Sequence, residues 1–309
     1  MSDEAVSRRR AWLMAARPHT FPAGVSPVVV GVGVAYALGV FAAMPALAAL
    51  VGALLIQIGA NFANDYYDAI NGADTEEREG FTRVTQSGLI EPGSVKRAMY
   101  LAFLAATAVG CSLVYIGGLP IVVVGLASIA AGVAYTGGPF PFGYHGLGDV
   151  FVFLFFGVIA VVGTVYVQAA AYAPAFPLTP PPGTLPSAAV VASVGVACVS
   201  TAILVVNNVR DMETDRETGK YTLAVYIGYA WSRVEYVALL GVAYLVPCWF
   251  AVNGFGLSTL LPWLSIPLAV SVARTVCRHT DAEHLDPALT RTGQTLALYS
   301  VLFAVGIAL

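Results

Sequence analysis

Apolar runs of roughly 20 residues recur along the whole chain, and no other feature limits its fold so tightly. Nine can be read, at 25–43, 47–63, 99–116, 121–136, 150–171, 188–207, 234–252, 259–276 and 293–309. A helix of that length spans the hydrocarbon core of a bilayer, whereas irregular backbone facing lipid leaves its polar groups without partners. The strict two-residue alternation of a membrane barrel is absent. The expected fold is therefore all-α, a multi-pass membrane bundle of nine transmembrane helices with no soluble domain. Composition agrees: 58% of the 309 residues are hydrophobic and 11% charged, against about 25% charged in a soluble domain.

The charges test this count. With nine spans, the loops after spans 2, 4, 6 and 8 share the side of the N-terminus. All 15 Lys and Arg, all 18 acids and the four histidines fall on that side. The opposite loops, including the proline-rich stretch 172–186, carry no charge. A miscounted helix would scatter charge onto both sides. The positive-inside rule, judged on Lys and Arg, puts the N-terminus and any polar chemistry at the cytoplasmic face of the cell membrane. Arg8, Arg9 and Arg10 precede only a short apolar stretch that Arg17-Pro18-His19 interrupts, which reads as mature protein and not as a secretory signal. Cys111, Cys198, Cys248 and Cys277 lie in or beside apolar runs and read as small buried hydrophobes.

Two acidic segments leave spans 2 and 6. The first runs Asn61-Phe-Ala-Asn64-Asp65-Tyr66-Tyr67-Asp68 and on through Gly72 and Asp74 to Arg78; the second runs Asn207-Asn208-Val-Arg210-Asp211-Met-Glu213-Thr-Asp215 and on to Lys220. Each starts at the cytoplasmic end of the second helix in a set of four. This is a weak internal repeat with halves at about 20–147 and 148–276 and a ninth helix at 293–309. On a helix, Gln57, Asn61, Asn64 and Asp68 share one face, and Asn207, Asp211 and Asp215 form a similar stripe. Polar groups at the membrane edge need a cavity or partners. Two such stripes facing each other build a polar pocket, and their oxygens suit Mg²⁺ shared with a phosphate group.

At these residues the sequence resembles the UbiA superfamily of intramembrane aromatic prenyltransferases. The resemblance is nearest to the branch that prenylates 1,4-dihydroxy-2-naphthoate in menaquinone biosynthesis. It rests on Ala16-Arg17-Pro18-His19-Thr20-Phe21-Pro22, Asn64-Asp65-Tyr66-Tyr67-Asp68, Gly72-Ala73-Asp74-Thr75-Glu76-Glu77-Arg78 and Arg83-Val84-Thr85-Gln86-Ser87-Gly88. Further blocks are Ala134-Tyr135-Thr136-Gly137-Gly138-Pro139, Gly146-Leu147-Gly148-Asp149 and 207–223. The last third carries no matching motif.

The resemblance implies nine helices, a prenyl diphosphate donor, and Mg²⁺ held by Asn64, Asp68, Asp211 and Asp215, with Asp65 assisting. The superfamily often has another aspartate four residues after the position of Asp68; here Gly72 stands there and Asp74 follows two residues on. Asn61 and Asn207 join the substrate-binding set. Arg78, Arg83, Arg210 and Lys220 are the basic groups nearest the departing diphosphate, so the allylic C–O bond ionises with Asp68 and Asp211 as the central acids. Tyr135 is placed to shield the allylic cation. The naphthoate ring then attacks, the carboxyl group leaves as CO₂, and Arg17 or His19 holds that carboxylate beforehand.

Other acceptors (4-hydroxybenzoate, homogentisate or a glycerol phosphate) fit the same chemistry. A secondary transporter is the alternative of a different class, but polar stripes that end at one face fit one-sided access better. The basic residues follow topology and give nucleic-acid binding no support. Cys277, His279 and His284 lack a second ligand pair for zinc.

Overall fold

The computed structural model describes residues 6–72 and 83–309. The described residues form a helical bundle, with one isolated pairing of extended backbone between His145 and Tyr221. In chain order the helices are α1 Arg8–Ala16, α2 Phe21–Ala37, α3 Ala43–Ile70, α4 Pro92–Ala134, α5 Gly148–Phe153 and α6 Ala160–Ala170. Then follow α7 Ser187–Arg210, α8 Met212–Glu217, α9 Leu223–Phe250, α10 Ile266–Arg278 and α11 Ala282–Ala308. A single π-helical stretch, Leu154–Ile159, joins α5 to α6, so the two run on as one span.

Seven described segments are long and apolar enough to cross a membrane, against the nine expected. The expected spans 99–116 and 121–136 lie on one 43-residue helix, α4. Straight, it would reach about 65 Å, twice the thickness of a hydrocarbon core. It does not run straight: Gly118 adopts φ 63°, ψ −150° and turns the chain there. A Cβ at Gly118 would sit 1.8 Å from the Pro177 carbonyl oxygen, and Leu119 N–H donates to that same carbonyl at 3.0 Å. The uncharged loop 172–186 thus packs on the turn. The other difference is α11, whose first turns carry Glu283, His284, Asp286 and Arg291 and dilute its apolar character.

The core centres on α7, buried along most of its length against α2, α5, α6, α9 and α11, with α10 packed behind α11. A second cluster joins α1, α3 and the first half of α4, through Ala11, Phe62, Val95, Met99 and Phe103. Large apolar side chains such as Leu101, Leu104, Trp231 and Leu245 are exposed on the outer surface. In a bilayer that surface meets lipid, where apolar groups carry no penalty. The two clusters leave a cavity between them, and this positions the site.

Candidate active site

α3 runs on to Ile70, past the apolar run that ends near residue 63. The extension keeps Asn64, Asp65 and Asp68 on a rigid helix instead of a loop. Gln57, Asn61, Asn64 and Asp68, spaced four, three and four apart, all line a cavity of about 510 Å³. Asn207, Asn208 and Arg210 from the end of α7 line it opposite, with Arg17, His19, Arg83, Tyr135 and Lys220 around the mouth. Deeper in, the lining becomes apolar: Ile56, Val114, Ile121, Leu126, Phe155 and Ile159. The cavity is thus amphipathic, with a charged mouth and an oily interior.

The second acidic stripe survives a helix joint. α7 ends at Arg210 and α8 begins at Met212. Asp211 N–H still donates to the Asn207 carbonyl at 3.0 Å, and Asp215 N–H to the Asp211 carbonyl at 2.8 Å. The four-residue helical pattern therefore carries the three side chains along one face. Asp211 and Asp215 are both buried. The expected Asp74 and Arg78 lie outside the described residues.

Each of Asp65, Asp68, Asp211 and Asp215 has a basic partner. Arg17 lies 3.7 Å from Asp65, Arg83 3.3 Å from Asp68, Arg210 2.7 Å from Asp211 and Lys220 3.1 Å from Asp215. Buried carboxylates stay ionised only with such compensation. Asp65 differs from the others in what it faces. Its Oδ2 accepts hydrogen bonds from the backbone N–H (3.2 Å) and hydroxyl of Thr85. One residue on from Asn64, it points about 100° away on the helix. Its partners tie the Thr85 segment and the Arg17 corner to α3. Of the four acids Asp68 lines the cavity, whereas Asp65, Asp211 and Asp215 stand behind its wall.

Asn61 and Gln57 also serve the scaffold. Asn61 Nδ2 donates to the Ala16 carbonyl and the Thr20 hydroxyl, both at 2.9 Å, and Gln57 Nε2 donates to Thr20 at 2.9 Å. These bonds seat the corner between α1 and α2, where Arg17 adopts a left-handed φ of 50°. Such a φ is uncommon for a residue with a Cβ and marks a position held by its surroundings. The corner brings Arg17 and His19 to the cavity mouth.

Arg210 is the hub of the second segment. Its Nε and Nη2 donate to both carboxylate oxygens of Asp211 (2.7 and 2.9 Å), Nη2 to Asn207 (2.9 Å), and Nη1 to Asp286 of α11 (2.6 Å). Asp68 accepts from Arg83 at 3.3 Å and from the Tyr144 hydroxyl at 2.6 Å. Asn64 Oδ1 accepts from Thr136 at 3.1 Å. Tyr135 packs edge-on to Phe142 at 5.6 Å. A Cβ at Gly143 would fall 2.7 Å from the Tyr135 carbonyl, and one at Gly148 would fall 3.0 Å from its hydroxyl, so both glycines let the loop close on this ring.

Tyr144, Thr85 and Asp286 were not singled out from the sequence. Thr85 and Tyr144 sit within or between the matching blocks, which was the available signal. Asp286 is 76 residues from Arg210, and nothing local to it pointed there. In the stretch after Cys277, His279, Asp281 and His284 bring their ligand atoms within 4.8 Å of one another, and Asp281 also caps α11. Asp281 accepts from the His284 backbone at 3.1 Å and lies 2.6 Å from its Nδ1, which holds the Asp281 carboxyl below the usual range.

Asn64, Asp68, Asp211 and Asp215 offer only oxygen donors, a set that fits a hard divalent cation. The surrounding Arg and Lys suit a phosphate group beside it.

Residues 24–307 match the UbiA prenyltransferase family. The chain is 39% identical to the 1,4-dihydroxy-2-naphthoate octaprenyltransferase of Escherichia coli (strain K12), over 99% of this chain and 98% of that one. It is 36% identical to the protein of the same description in Mycobacterium leprae (strain TN), over 95% and 94%. Its fold resembles that of a UbiA homolog from Archaeoglobus fulgidus solved with DMAPP and Mg²⁺, at a TM-score of 0.58 and 13% identity over 95% of this chain and 99% of that one.

Proposed function

We propose that this chain, which belongs to the UbiA prenyltransferase family, transfers a polyprenyl group from its diphosphate to 1,4-dihydroxy-2-naphthoate, releasing diphosphate and CO₂ and yielding demethylmenaquinol. The observation that carries this reading is the shape of the cavity. A prenyl diphosphate is a charged head on an apolar tail, and the cavity has a charged mouth above an apolar chamber. The acceptor follows from the relatives that act on the naphthoate and match nearly the whole chain.

Asn64 and Asp68 on one side and Asp211 and Asp215 on the other would hold Mg²⁺ between the stripes. Mg²⁺ supplies positive charge to a departing diphosphate, which lowers the barrier to ionisation. Arg83 and Lys220 already stand at the mouth, paired to Asp68 and Asp215, and can share their donors with phosphate oxygens. The allylic C–O bond breaks with both electrons going to the diphosphate oxygen. Tyr135, a neutral phenol at physiological pH, turns its ring toward the chamber where the cation is exposed. The ring carbon bearing the carboxylate attacks the allylic carbon. The carboxylate then leaves as CO₂, and its bonding pair restores the aromatic ring. No ring proton is lost in this sequence, so no base is needed to remove one. Arg17 and His19, at the same mouth, are the groups to hold the acceptor carboxylate until it departs. The charged side of the bundle, and with it the site, faces the cytoplasm in this reading.

Purified protein given Mg²⁺, a polyprenyl diphosphate and each of 1,4-dihydroxy-2-naphthoate, 4-hydroxybenzoate and homogentisate should prenylate the naphthoate with the highest kcat/KM. Product with another acceptor and none with the naphthoate rejects the assignment.

The chamber wall makes a separate prediction. Gly52, Gly110, Gly125 and Gly163 line it, and a Cβ at each meets open space. Gly125→Phe should therefore fill space that a long tail uses. An overpacking penalty of about 1–3 kcal/mol corresponds to a fall of roughly 5- to 150-fold in kcat/KM for a long donor. Geranyl diphosphate, which does not reach that depth, should be used as before. Equal losses for both donors would place the tail elsewhere.

A further inference from the structure

The two acidic segments sit on helices with different main neighbours. α3 packs chiefly on α4 and α7 chiefly on α9 and α11, while α2 and α6 touch both. A ligand shared between the segments needs their separation fixed, and the loop between α4 and α5 supplies a physical link. Tyr144, on its short turn Phe142–Tyr144, reaches both sides. Its hydroxyl donates to Asp68 Oδ1 at 2.6 Å. Its ring lies 5.9 Å from the Lys220 ammonium, which is itself 3.1 Å from Asp215. Its carbonyl accepts the Tyr221 N–H at 3.0 Å, and His145 pairs with Tyr221 beside it.

We propose that Tyr144 is a positioning residue that clasps the first acidic segment to the second, orienting Asp68 and Lys220 so that one metal–diphosphate unit is held by both. This rests on the metal–diphosphate reading above. Tyr144 touches the acid, not the reacting carbons, and acts through it. Hydrogen bonds to a ligating carboxylate fix its orientation, and losing such a bond typically weakens metal affinity 10- to 100-fold.

The test separates the hydroxyl from the ring. Tyr144→Phe keeps the ring beside Lys220 and the backbone contact with Tyr221 but loses the bond to Asp68. Mn²⁺ binding is measured by electron paramagnetic resonance on the full chain in detergent with geranyl S-thiolodiphosphate, an unreactive donor analogue. Tyr144→Phe should weaken Mn²⁺ binding by about 10-fold or more and raise the Mg²⁺ concentration for half-maximal activity in step. Its thermal midpoint should stay near the wild-type value, and kcat at saturating Mg²⁺ should largely recover. Tyr144→Ala, which also removes the ring, should add a rise in KM for the prenyl diphosphate. Wild-type Mn²⁺ affinity in Tyr144→Phe would overturn the proposal while leaving the metal site standing. Failure of the wild-type protein to bind Mn²⁺ with the analogue would overturn the metal–diphosphate reading itself.

Discussion

Asp68→Asn is expected to lower turnover by roughly 10²- to 10⁴-fold at saturating donor, with the helical bundle intact. The substitution keeps the side chain's shape and removes one negative charge. Asp68 projects from a continuous helix into the cavity and holds Arg83 and Tyr144. An amide oxygen still accepts the Tyr144 hydroxyl, so the local packing survives. What is lost is a hard anionic donor at the point where a divalent cation would bridge to the diphosphate. Asp211→Asn should also lower turnover, but its carboxylate is buried against Arg210, so this variant should lose stability as well. Circular dichroism and gel-filtration profiles should match the wild type for Asp68→Asn. Near-normal activity in both variants would mean that the acids do not hold a metal.

Arg210→Ala should act on stability more than any other single change. Its side chain is 2% exposed and makes hydrogen bonds to Asp211, Asn207 and Asp286. Removing it strands the Asp211 carboxylate, fully buried at 0% side-chain exposure. Breaking a buried pair from one side typically costs about 3–5 kcal/mol, since the remaining charge stays desolvated. That is a large fraction of a domain's net stability of about 5–15 kcal/mol. Asp286→Ala is the control. Asp286 is 31% exposed and leaves Arg210 still paired to Asp211, so its loss should cost about 1 kcal/mol. Thermal unfolding in detergent, followed by tryptophan fluorescence, should rank the wild type, Asp286→Ala and Arg210→Ala in that order. Equal midpoints for the two variants would remove Arg210 from the centre of the network.

Much of this arrangement was legible in the sequence because the bilayer makes it so. Apolar runs have no alternative to helix in lipid, and the spacing of Gln57, Asn61, Asn64 and Asp68 follows helical geometry directly. The limits were equally physical. Run-based edges stop where hydropathy falls, but a helix does not: α3 carries Asn64 and Asp68 beyond its apolar run, and α11 begins in charged interfacial turns. Gly118 ends a span without breaking the helical hydrogen-bond pattern enough to divide α4. The contact of Asp65 with Thr85, 20 residues on, has no trace in helical spacing. Tyr144 meets Asp68 and Asp286 meets Arg210 only through tertiary packing. Contacts between distant elements leave no periodic trace for sequence to show.

The central claim is the coupling of prenyl transfer to loss of the acceptor's carboxyl group at this one site. The most direct measurement uses 1,4-dihydroxy-2-naphthoate labelled with ¹⁴C in the carboxyl group, octaprenyl diphosphate and Mg²⁺, with the purified protein in liposomes. The account predicts labelled CO₂ released one-for-one with prenylated product, and neither without Mg²⁺. A prenylated product that retains the label, or no product at all with this acceptor, would contradict it.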